Sequence, residues 1–386
     1  MPAGYKTHDP TRWADKHHAG MMFCGFLPGV DHTNLTIRLC LDAAGATVVR
    51  FMPEIACARI SVPEENEQTL AAALAATGLI RYVEPIFAQS KWAATTPNDP
   101  DISSEWHLTS MGCFDAWDYT TGNSSLVVGH CDSGINLTHA DVCATIDSPW
   151  NWNTLTTNVQ DGYGHGTETS GCICANTNNS VGVAGVAWGC AISPQVVDIG
   201  GTQIDVFLTE AVVALGTAGV SVITMSFASY GFSQAEQDAC TYAFNKGAIL
   251  FAAGDNQGFS FPSYPALYNN VYAICSVNSS YALSGFNNYG AKFLLAAPGE
   301  SIFTTVGSGY GAVSGTSFAT PIAAGVAALV RSVNPGLGPV ETGTIMQATA
   351  DAISFNANFP NLAGVVNAKN AVIAAQHRLS SSFWMK

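Results

Sequence analysis

Short apolar runs alternate with amphipathic stretches through most of this chain, beginning at about residue 126. Helical patterns fall at about 166–175, 206–218, 234–246, 316–332, 339–350 and 367–376. The apolar runs have the length of buried strands and lie at Leu126–Cys131, Ala191–Val197, Val220–Met225, Ala248–Ala253, Val271–Val277 and Phe293–Ala297. Buried strands that alternate with helices predict an α/β fold, in which a mostly parallel sheet is covered by helices on both faces.

The first hundred residues follow a different pattern. Two strands are predicted at 47–51 and 58–62, then a helix at about 67–77 that ends before Gly78, and then a strand at 81–84. This order of elements predicts a small α+β unit.

A stretch of small and polar residues from about 88 to 101 contains Pro97 and Pro100, a composition typical of a linker. We therefore expect one domain over residues 1–92, a linker that extends to about 98, and a second domain over 99–386.

Composition narrows the class of protein. Apolar residues make up 48% of the 386 residues and charged residues only 11%, which is typical of a globular chain. A formal charge of −14 with 14 Lys and Arg argues against binding to nucleic acid or to anionic membranes. No apolar run reaches the roughly 18 residues of a membrane span, and no secretory signal is visible at the N-terminus.

Eleven cysteines are scattered along the sequence, an odd number, so at least one is free or pairs between chains. Cys172-Ile173-Cys174 has no matching second pair, so the pattern does not indicate a zinc site. Mostly reduced thiols in the core are expected.

Three turns carry candidate chemistry. Asp132 follows an apolar run, His165 begins a predicted helix, and Ser317 follows Gly-Thr at the start of the long helix near the C-terminus. Each alone is also typical of an ordinary turn or helix cap. In a parallel sheet such positions gather at one edge, where a carboxylate orients a histidine that takes a proton from a serine.

At these motifs the chain resembles the subtilisin-like serine proteases (subtilases), in which aspartate, histidine and serine occur in this order. The resemblance rests on Val127–Ile135, Gly164–Thr167, Ala252–Gly254, Ala297–Gly299 and Gly315–Pro321. It implies that Asp132 orients His165, that His165 is the general base and acid, and that Ser317 is the nucleophile. It also implies a subtilisin-like fold with a three-layer doubly wound sheet, polypeptide substrates, and no cofactor for catalysis.

The same resemblance gives the N-terminal unit a role. It is similar to the family's ferredoxin-like propeptide, which helps the catalytic domain to fold, inhibits it and is then cut off. Self-cleavage is expected between about residues 88 and 96; the alternative is a permanent accessory domain. Such propeptides are typical of exported relatives, so an extracellular location is expected despite the missing signal, with a cytoplasmic one as the alternative.

Substrate binding is expected along Ser226, Phe227 and Ala228, with Gly254 nearby. The resemblance makes this the strand that pairs with an extended peptide backbone. The family usually has glycine where this chain has Ala228, and the extra methyl group would narrow the substrate surface.

The residue that stabilises the oxyanion departs from the family pattern. Where the family has Ala-Ala-Gly-Asn with an amide donor, this chain has Asp255, followed by Asn256. The ungapped match favours Asp255, and a shift by one residue would present Asn256 instead. An ionised carboxylate would repel the oxyanion and a protonated one would donate to it. This leaves two hypotheses, an active serine endopeptidase made as a zymogen and a catalytically silent peptide-binding protein.

The resemblance also implies a structural calcium site. Its ligands would be side-chain oxygens of Asp99, Asp141 and Asn179 with the carbonyl groups of Val181 and Val183. The alternative is a simple polar turn around Asn179.

Overall fold

The computed structural model of the protein describes residues 17–87, 96–354 and 356–382. The chain divides into two compact units, Met1–Ala93 and Ala94–Lys386. Part of the expected linker and most of the expected cleavage region, residues 88–95, lie outside the described residues.

The N-terminal unit has a βαββαβ order. Its sheet runs β2-β3-β1-β4, with β1 antiparallel to both β3 and β4, which is the ferredoxin-like arrangement. Met22, Phe26, Ile37, Ile60 and Leu70 are fully or almost fully buried in its core. The elements are β1 (His17–Phe26), α1 (Leu35–Ala43), β2 (Thr47–Met52), β3 (Cys57–Ser61), α2 (Glu67–Ala76) and β4 (Ile80–Phe87).

The predicted strands and helix of this unit correspond to β2, β3, α2 and β4. The sequence analysis missed β1 and α1. The segment of β1 contains Gly20, Gly25 and two methionines instead of a β-branched run, so it lacked the composition of a strand.

The second unit is built on a seven-stranded sheet. Its elements, in chain order, are α3 (Trp106–Ser110), α4 (Cys113–Trp117), β5 (Val127–Asp132), β6 (Trp150–Asn151), α5 (His165–Cys174), β7 (Ala191–Val196), β8 (Asp198–Ile199), β9 (Thr202–Gln203), α6 (Asp205–Thr217), β10 (Val222–Met225), α7 (Gln234–Asn245), β11 (Ile249–Ala253), β12 (Val271–Val277), β13 (Phe293–Pro298), β14 (Ile302–Val306), β15 (Gly309–Val313), α8 (Thr316–Val333), α9 (Pro339–Ala348) and α10 (Ala368–Ser382). All six strands and all six helices predicted here are confirmed to within two residues, except that α10 ends six residues beyond its predicted end. The additional elements are short, and their apolar patterns are too brief to detect.

The strand order of the large sheet is β13-β12-β11-β10-β5-β7-β6, and every pairing is parallel. From β5 the chain proceeds to one side of the sheet and then returns to place β10 on the other side of β5. The order therefore reverses between β5 and β10. In doubly wound sheets the carboxyl ends of the strands at such a reversal form a crevice that binds ligands.

Helices cover both faces of this sheet. One face packs against α5, α8 and α10, and the other packs against α6 and α7. Neighbouring residues of one strand, such as Val222 and Ile223, belong to opposite cores. These two cores confirm the predicted three-layer α/β class.

Among the described residues, one helix, α8, is long and apolar enough to cross a membrane by length and composition alone, and most of it is buried inside the protein. It is the central helix of one core, which accounts for its apolar composition.

The cysteines are mostly free, as expected: nine are unpaired, and all of these except Cys40 are buried. One pair was not foreseen. Cys143 and Cys174 form a disulfide across 31 residues of sequence.

Candidate active site

Asp132 and His165 meet at the carboxyl edge of the large sheet. Asp132 is the last residue of β5 and His165 is the first residue of α5. Nδ1 of His165 lies 2.8 Å from Oδ1 of Asp132, which also accepts a 2.8 Å hydrogen bond from the backbone N–H of Ser133. The Asp132 side chain is 3% exposed and that of His165 is 25% exposed, so the histidine alone faces the solvent side.

This contact changes the pKa values of both groups. Burial by itself would lower the pKa of His165, but the charge and hydrogen bond of Asp132 outweigh it and raise the pKa to about 9. Burial would raise the pKa of Asp132, but the charge and hydrogen bond of His165 hold it below its ordinary value. The imidazole is therefore fixed with Nδ1 towards the carboxylate, which leaves Nε2 for proton transfer.

Two further side chains support Asp132, and the sequence analysis did not identify them. The hydroxyl of Thr169 lies 3.0 Å from Oδ2 of Asp132 and 2.9 Å from Nε2 of the buried His130. The residue spacing contains a signal for both. His130 precedes Asp132 by two strand positions and so shares its face, and Thr169 follows His165 by one helical turn.

The loop before α5 is held by Asp161, a third residue that the sequence analysis did not assign. Its carboxylate accepts hydrogen bonds from the backbone N–H of Gly164 at 2.7 Å and of Thr167 at 2.9 Å. At Gly166 a Cβ atom would lie 2.1 Å from the carbonyl oxygen of Gly134, so only glycine fits at this approach of helix to loop. These contacts hold the N-terminal end of α5 in place and so position His165, its first residue.

Ser317 is the second residue of α8. The ring of the next residue, Phe318, lies 5.9 Å from the His165 ring, centroid to centroid. The first turn of α8 therefore adjoins His165. The backbone N–H groups of Thr316 and Phe318 already donate to Asn256 and Gly315, whereas that of Ser317 donates to no described group.

The loop after β11 adjoins the same helix start. Oδ1 of Asn256 accepts hydrogen bonds from the backbone N–H and the hydroxyl of Thr316, at 2.8 and 3.0 Å. This fixes the Asn256 amide beside the residue that precedes Ser317. Its Nδ2 donates to no group within the part of the chain that the structure describes, so this N–H pair is available to a ligand.

Asp255 points elsewhere. Its carboxylate accepts a 2.8 Å hydrogen bond from the hydroxyl of Tyr230 and a 2.7 Å hydrogen bond from the backbone N–H of Asn256. The residue is 6% exposed and has a φ of 83°, a left-handed conformation that aspartate tolerates better than most residues. Two residues were candidates for the oxyanion donor, Asp255 and Asn256. The contacts of Asn256 with Thr316 favour Asn256.

Comparison with known proteins places the chain in a family. The profile described as "Subtilase family" matches residues 123–372. The chain belongs to the subtilase family. Thermitase of Thermoactinomyces vulgaris is 34% identical over 72% of this chain and 99% of its own length. The extracellular protease of Xanthomonas campestris pv. campestris is 32% identical over 86% of this chain and 66% of its own length.

A solved structure of a protease from Pseudoalteromonas arctica PAMC 21717 aligns with this chain at a TM-score of 0.67 and 27% identity, covering 73% of this chain and 100% of that one. The resemblance stated from the motifs is thereby confirmed, as is the subtilisin-like fold. The protein is a serine endopeptidase, and its family needs no cofactor for catalysis.

In this subtilase the expected substrate residues lie at the reversal of strand order. Ser226, Phe227 and Ala228 continue the chain beyond β10, and Ser226 and Phe227 line a cavity of about 200 Å³ together with Asp132, His165 and Asp198. Gly254 continues β11; a Cβ atom there would lie 2.2 Å from the Phe293 ring, so glycine is required for packing.

The residues of the expected calcium site also come together. The carboxylate of Asp99 accepts from the N–H groups of Asn178 and Asn179, and Oδ1 of Asp141 accepts from Nδ2 of Asn179 at 2.7 Å. Val183 donates its N–H to Asp141 at 2.9 Å. The described residues contain no cluster of three or more His, Cys, Asp or Glu that could hold a metal ion.

Proposed function

We propose that this subtilase is a self-processing zymogen that cleaves peptide bonds through Asp132, His165 and Ser317. The observation that carries the proposal is the 2.8 Å contact between Asp132 and His165, with the first turn of α8 packed against the imidazole through Phe318. A fixed tautomer beside a serine at a helix N-terminus is the arrangement that nucleophilic acyl transfer requires.

The reaction then follows from the groups present. Oγ of Ser317 attacks the carbonyl carbon of the scissile bond, and its proton passes to Nε2 of His165. The tetrahedral intermediate collapses when His165 gives this proton to the leaving amine, which breaks the C–N bond and leaves an acyl-enzyme. A water molecule then attacks the ester and gives a proton to the same nitrogen. His165 transfers this proton to Oγ of Ser317, which leaves as the free hydroxyl.

Asn256 is the proposed side-chain donor to the oxyanion. Its Oδ1 is held by Thr316, so the free Nδ2 lies at the start of the helix that carries Ser317. Asp255 is not proposed as the donor, because its carboxylate already accepts hydrogen bonds from Tyr230 and Asn256.

The N-terminal unit is the proposed propeptide. Its ferredoxin-like order of strands supports this role. It also forms a compact unit of its own, distinct from the second unit. Cleavage is proposed between about residues 88 and 96. We also propose secretion, because relatives include proteins named extracellular protease and halolysin and because the chain holds a disulfide.

A structural Ca²⁺ is part of the proposal. Burial raises the pKa of Asp141, the charge of Asp99 adds to this effect, and a cation would relieve both. Asp99, Asp141, Asn179 and the carbonyl groups of Val181 and Val183 would hold it. The ion would stabilise the loop and would take no part in the reaction.

The test compares the full chain with Ser317→Ala and with Ser314→Ala, a control three residues earlier on the same loop. We expect the parent and Ser314→Ala to lose an N-terminal fragment of about 90 residues and to react with a fluorophosphonate. Ser317→Ala should do neither. Labelling or processing in Ser317→Ala would overturn the assignment of the nucleophile. No processing and no labelling in the parent would favour a silent peptide-binding protein.

A further inference from the structure

Asp255 is a buried carboxylate with no cationic partner among the residues that the structure describes. It is 6% exposed, and its hydrogen bonds come from Tyr230 and from the backbone of Asn256. Burial of a carboxylate is costly unless the charge is paired. A cation that arrives with a ligand would supply the missing pair.

The position of Asp255 identifies which ligand group it would meet. β10 and β11 are adjacent and parallel, with Met225 opposite Ala252, so the segments that follow them run side by side. On one side lies the expected substrate segment, Ser226, Phe227 and Ala228, which leads to Tyr230. On the other side, Asn256 contacts Thr316 beside Ser317. Asp255 lies between the substrate segment and the nucleophile.

A peptide bound along Ser226 would place its scissile carbonyl group between Ser317 and Asn256. The side chain of the residue that contributes this carbonyl projects from the adjacent Cα atom. Asp255 directly precedes Asn256, and its carboxylate contacts Tyr230, to which the substrate segment leads. We therefore expect this substrate side chain to extend towards the carboxylate.

A chain of exposed aromatic rings begins at Tyr230, the residue whose hydroxyl contacts Asp255. Tyr230 is 60% exposed, Phe259 is 44% exposed and Phe261 is 48% exposed. The rings of Tyr230 and Phe259 are 6.2 Å apart, and those of Phe259 and Phe261 are 5.9 Å apart. Such faces hold the aliphatic stem of a lysine or arginine and attract its charge.

We propose that Asp255, with Tyr230 and Phe259, forms the pocket for the residue that precedes the scissile bond and selects lysine or arginine there. This inference rests on the proposed function. A cationic side chain pairs with the carboxylate through charge-assisted hydrogen bonds. A neutral side chain would displace water from the carboxylate of Asp255 and would supply no hydrogen bond or charge in its place. The enzyme would therefore bind the neutral substrate less well.

The experiment measures kcat/KM of the processed enzyme on two peptides that differ only at this residue, lysine against its neutral isostere norleucine. A hydrogen-bonded charge contributes about 1.5–3 kcal/mol, so we expect the parent to prefer lysine by roughly 10- to 100-fold. Asp255→Asn keeps the shape and tolerates the left-handed backbone. It should bring the ratio close to one, whereas the control Gln257→Ala should retain it.

A parent ratio of one or below, or an unchanged ratio in Asp255→Asn, would overturn the proposal. Benzamidine and its neutral analogue benzamide provide a second test on the unmutated enzyme, independent of whether the variant folds. Benzamidine should compete with substrate and benzamide should not; equal weak inhibition by both would contradict the proposal. Failure of the proposed function is distinguishable, because Ser317→Ala would then still cleave both peptides.

Discussion

The hydroxyl of Thr169 lies 3.0 Å from Oδ2 of Asp132, the carboxylate oxygen that His165 leaves unused. Thr169 and His165 are one turn apart on α5, so the same helix presents the imidazole and secures its carboxylate partner. Thr169 is therefore a positioning residue, since it acts through Asp132.

We expect Thr169→Val, which is nearly isosteric, to lower kcat by about tenfold, as the loss of one hydrogen bond to a charged group implies. KM should stay unchanged, because Thr169 lies behind Asp132 and away from the substrate segment. Steady-state kinetics on a peptide substrate separate the two parameters. Thr169→Ser restores the hydroxyl and should recover most of kcat; a serine variant as slow as the valine variant would count against a role through this hydrogen bond.

The pKa of His165, raised to about 9, predicts an alkaline enzyme. Only the neutral imidazole accepts a proton, so kcat/KM should rise with pH, reach half its maximum near pH 9 and level off above that pH. In Asp132→Asn the dominant remaining influence is burial, which lowers the pKa of His165. An NMR titration of the His165 imidazole in both proteins, each carrying Ser317→Ala to prevent autolysis, reports the two values directly. A lower pKa in the parent than in Asp132→Asn would refute the assigned cause.

The same raised pKa has a consequence for stability. His165 binds its proton more tightly in the folded protein than at its ordinary pKa of 6.5. The contribution is therefore complete below about pH 6.5 and is lost as the pH rises through about 9. In urea unfolding, Asp132→Asn should thus lose more stability at pH 6 than at pH 10. An equal loss at both pH values would show that the Asp132–His165 pair does not cause this pH dependence of the free energy of unfolding.

The three proposed catalytic side chains were predicted because each lies within two residues of a glycine, at the end of a strand or at the start of a helix. The spacing places His130 on the same strand face as Asp132 and Thr169 on the same helix face as His165. Whether the two side chains reach Asp132 depends on how β5 packs against α5, which the spacing does not determine. The choice between Asp255 and Asn256 is similar. The ungapped match favoured Asp255, whereas the direction of each side chain, towards Tyr230 or towards Thr316, is visible only in the folded protein.

Replacing the proposed oxyanion donor should slow the chemical step. Asn256→Ala removes the amide at the start of α8, and we expect kcat to fall by about 10²–10³, the cost of losing such a donor in subtilisin. The neighbouring and exposed Gln257 provides the control, because Gln257→Ala leaves the Asn256–Thr316 contact in place. An acid-shifted pH profile that Asp255→Asn flattens would instead identify Asp255 as the donor.

Calcium should stabilise the catalytic unit if the loop around Asn179 binds it. At a concentration about 100 times the dissociation constant, a bound ion contributes about 2.7 kcal/mol, and Tm should rise accordingly. EGTA should reverse the effect, and Asp141→Asn should remove it. Magnesium, which demands a smaller octahedral site, is the control cation. A Tm that does not respond to Ca²⁺ in the parent would remove the ion from the proposal.

The disulfide secures the helix that begins with His165. Cys174 is the last residue of α5, and its partner Cys143 lies 31 residues earlier, so the closed loop contains the histidine. Closing a loop of this size restricts the unfolded chain and stabilises the folded one by about 3.5–4 kcal/mol. TCEP should therefore lower Tm by several degrees in the Ser317→Ala protein, which cannot digest itself.

A matched protein that also carries Cys143→Ser and Cys174→Ser should start from the lower Tm and not respond to TCEP, since the nine other cysteines are unpaired. An equal response of both proteins would mean that reduction acts elsewhere, and no response in either would mean that the bond does not stabilise the fold.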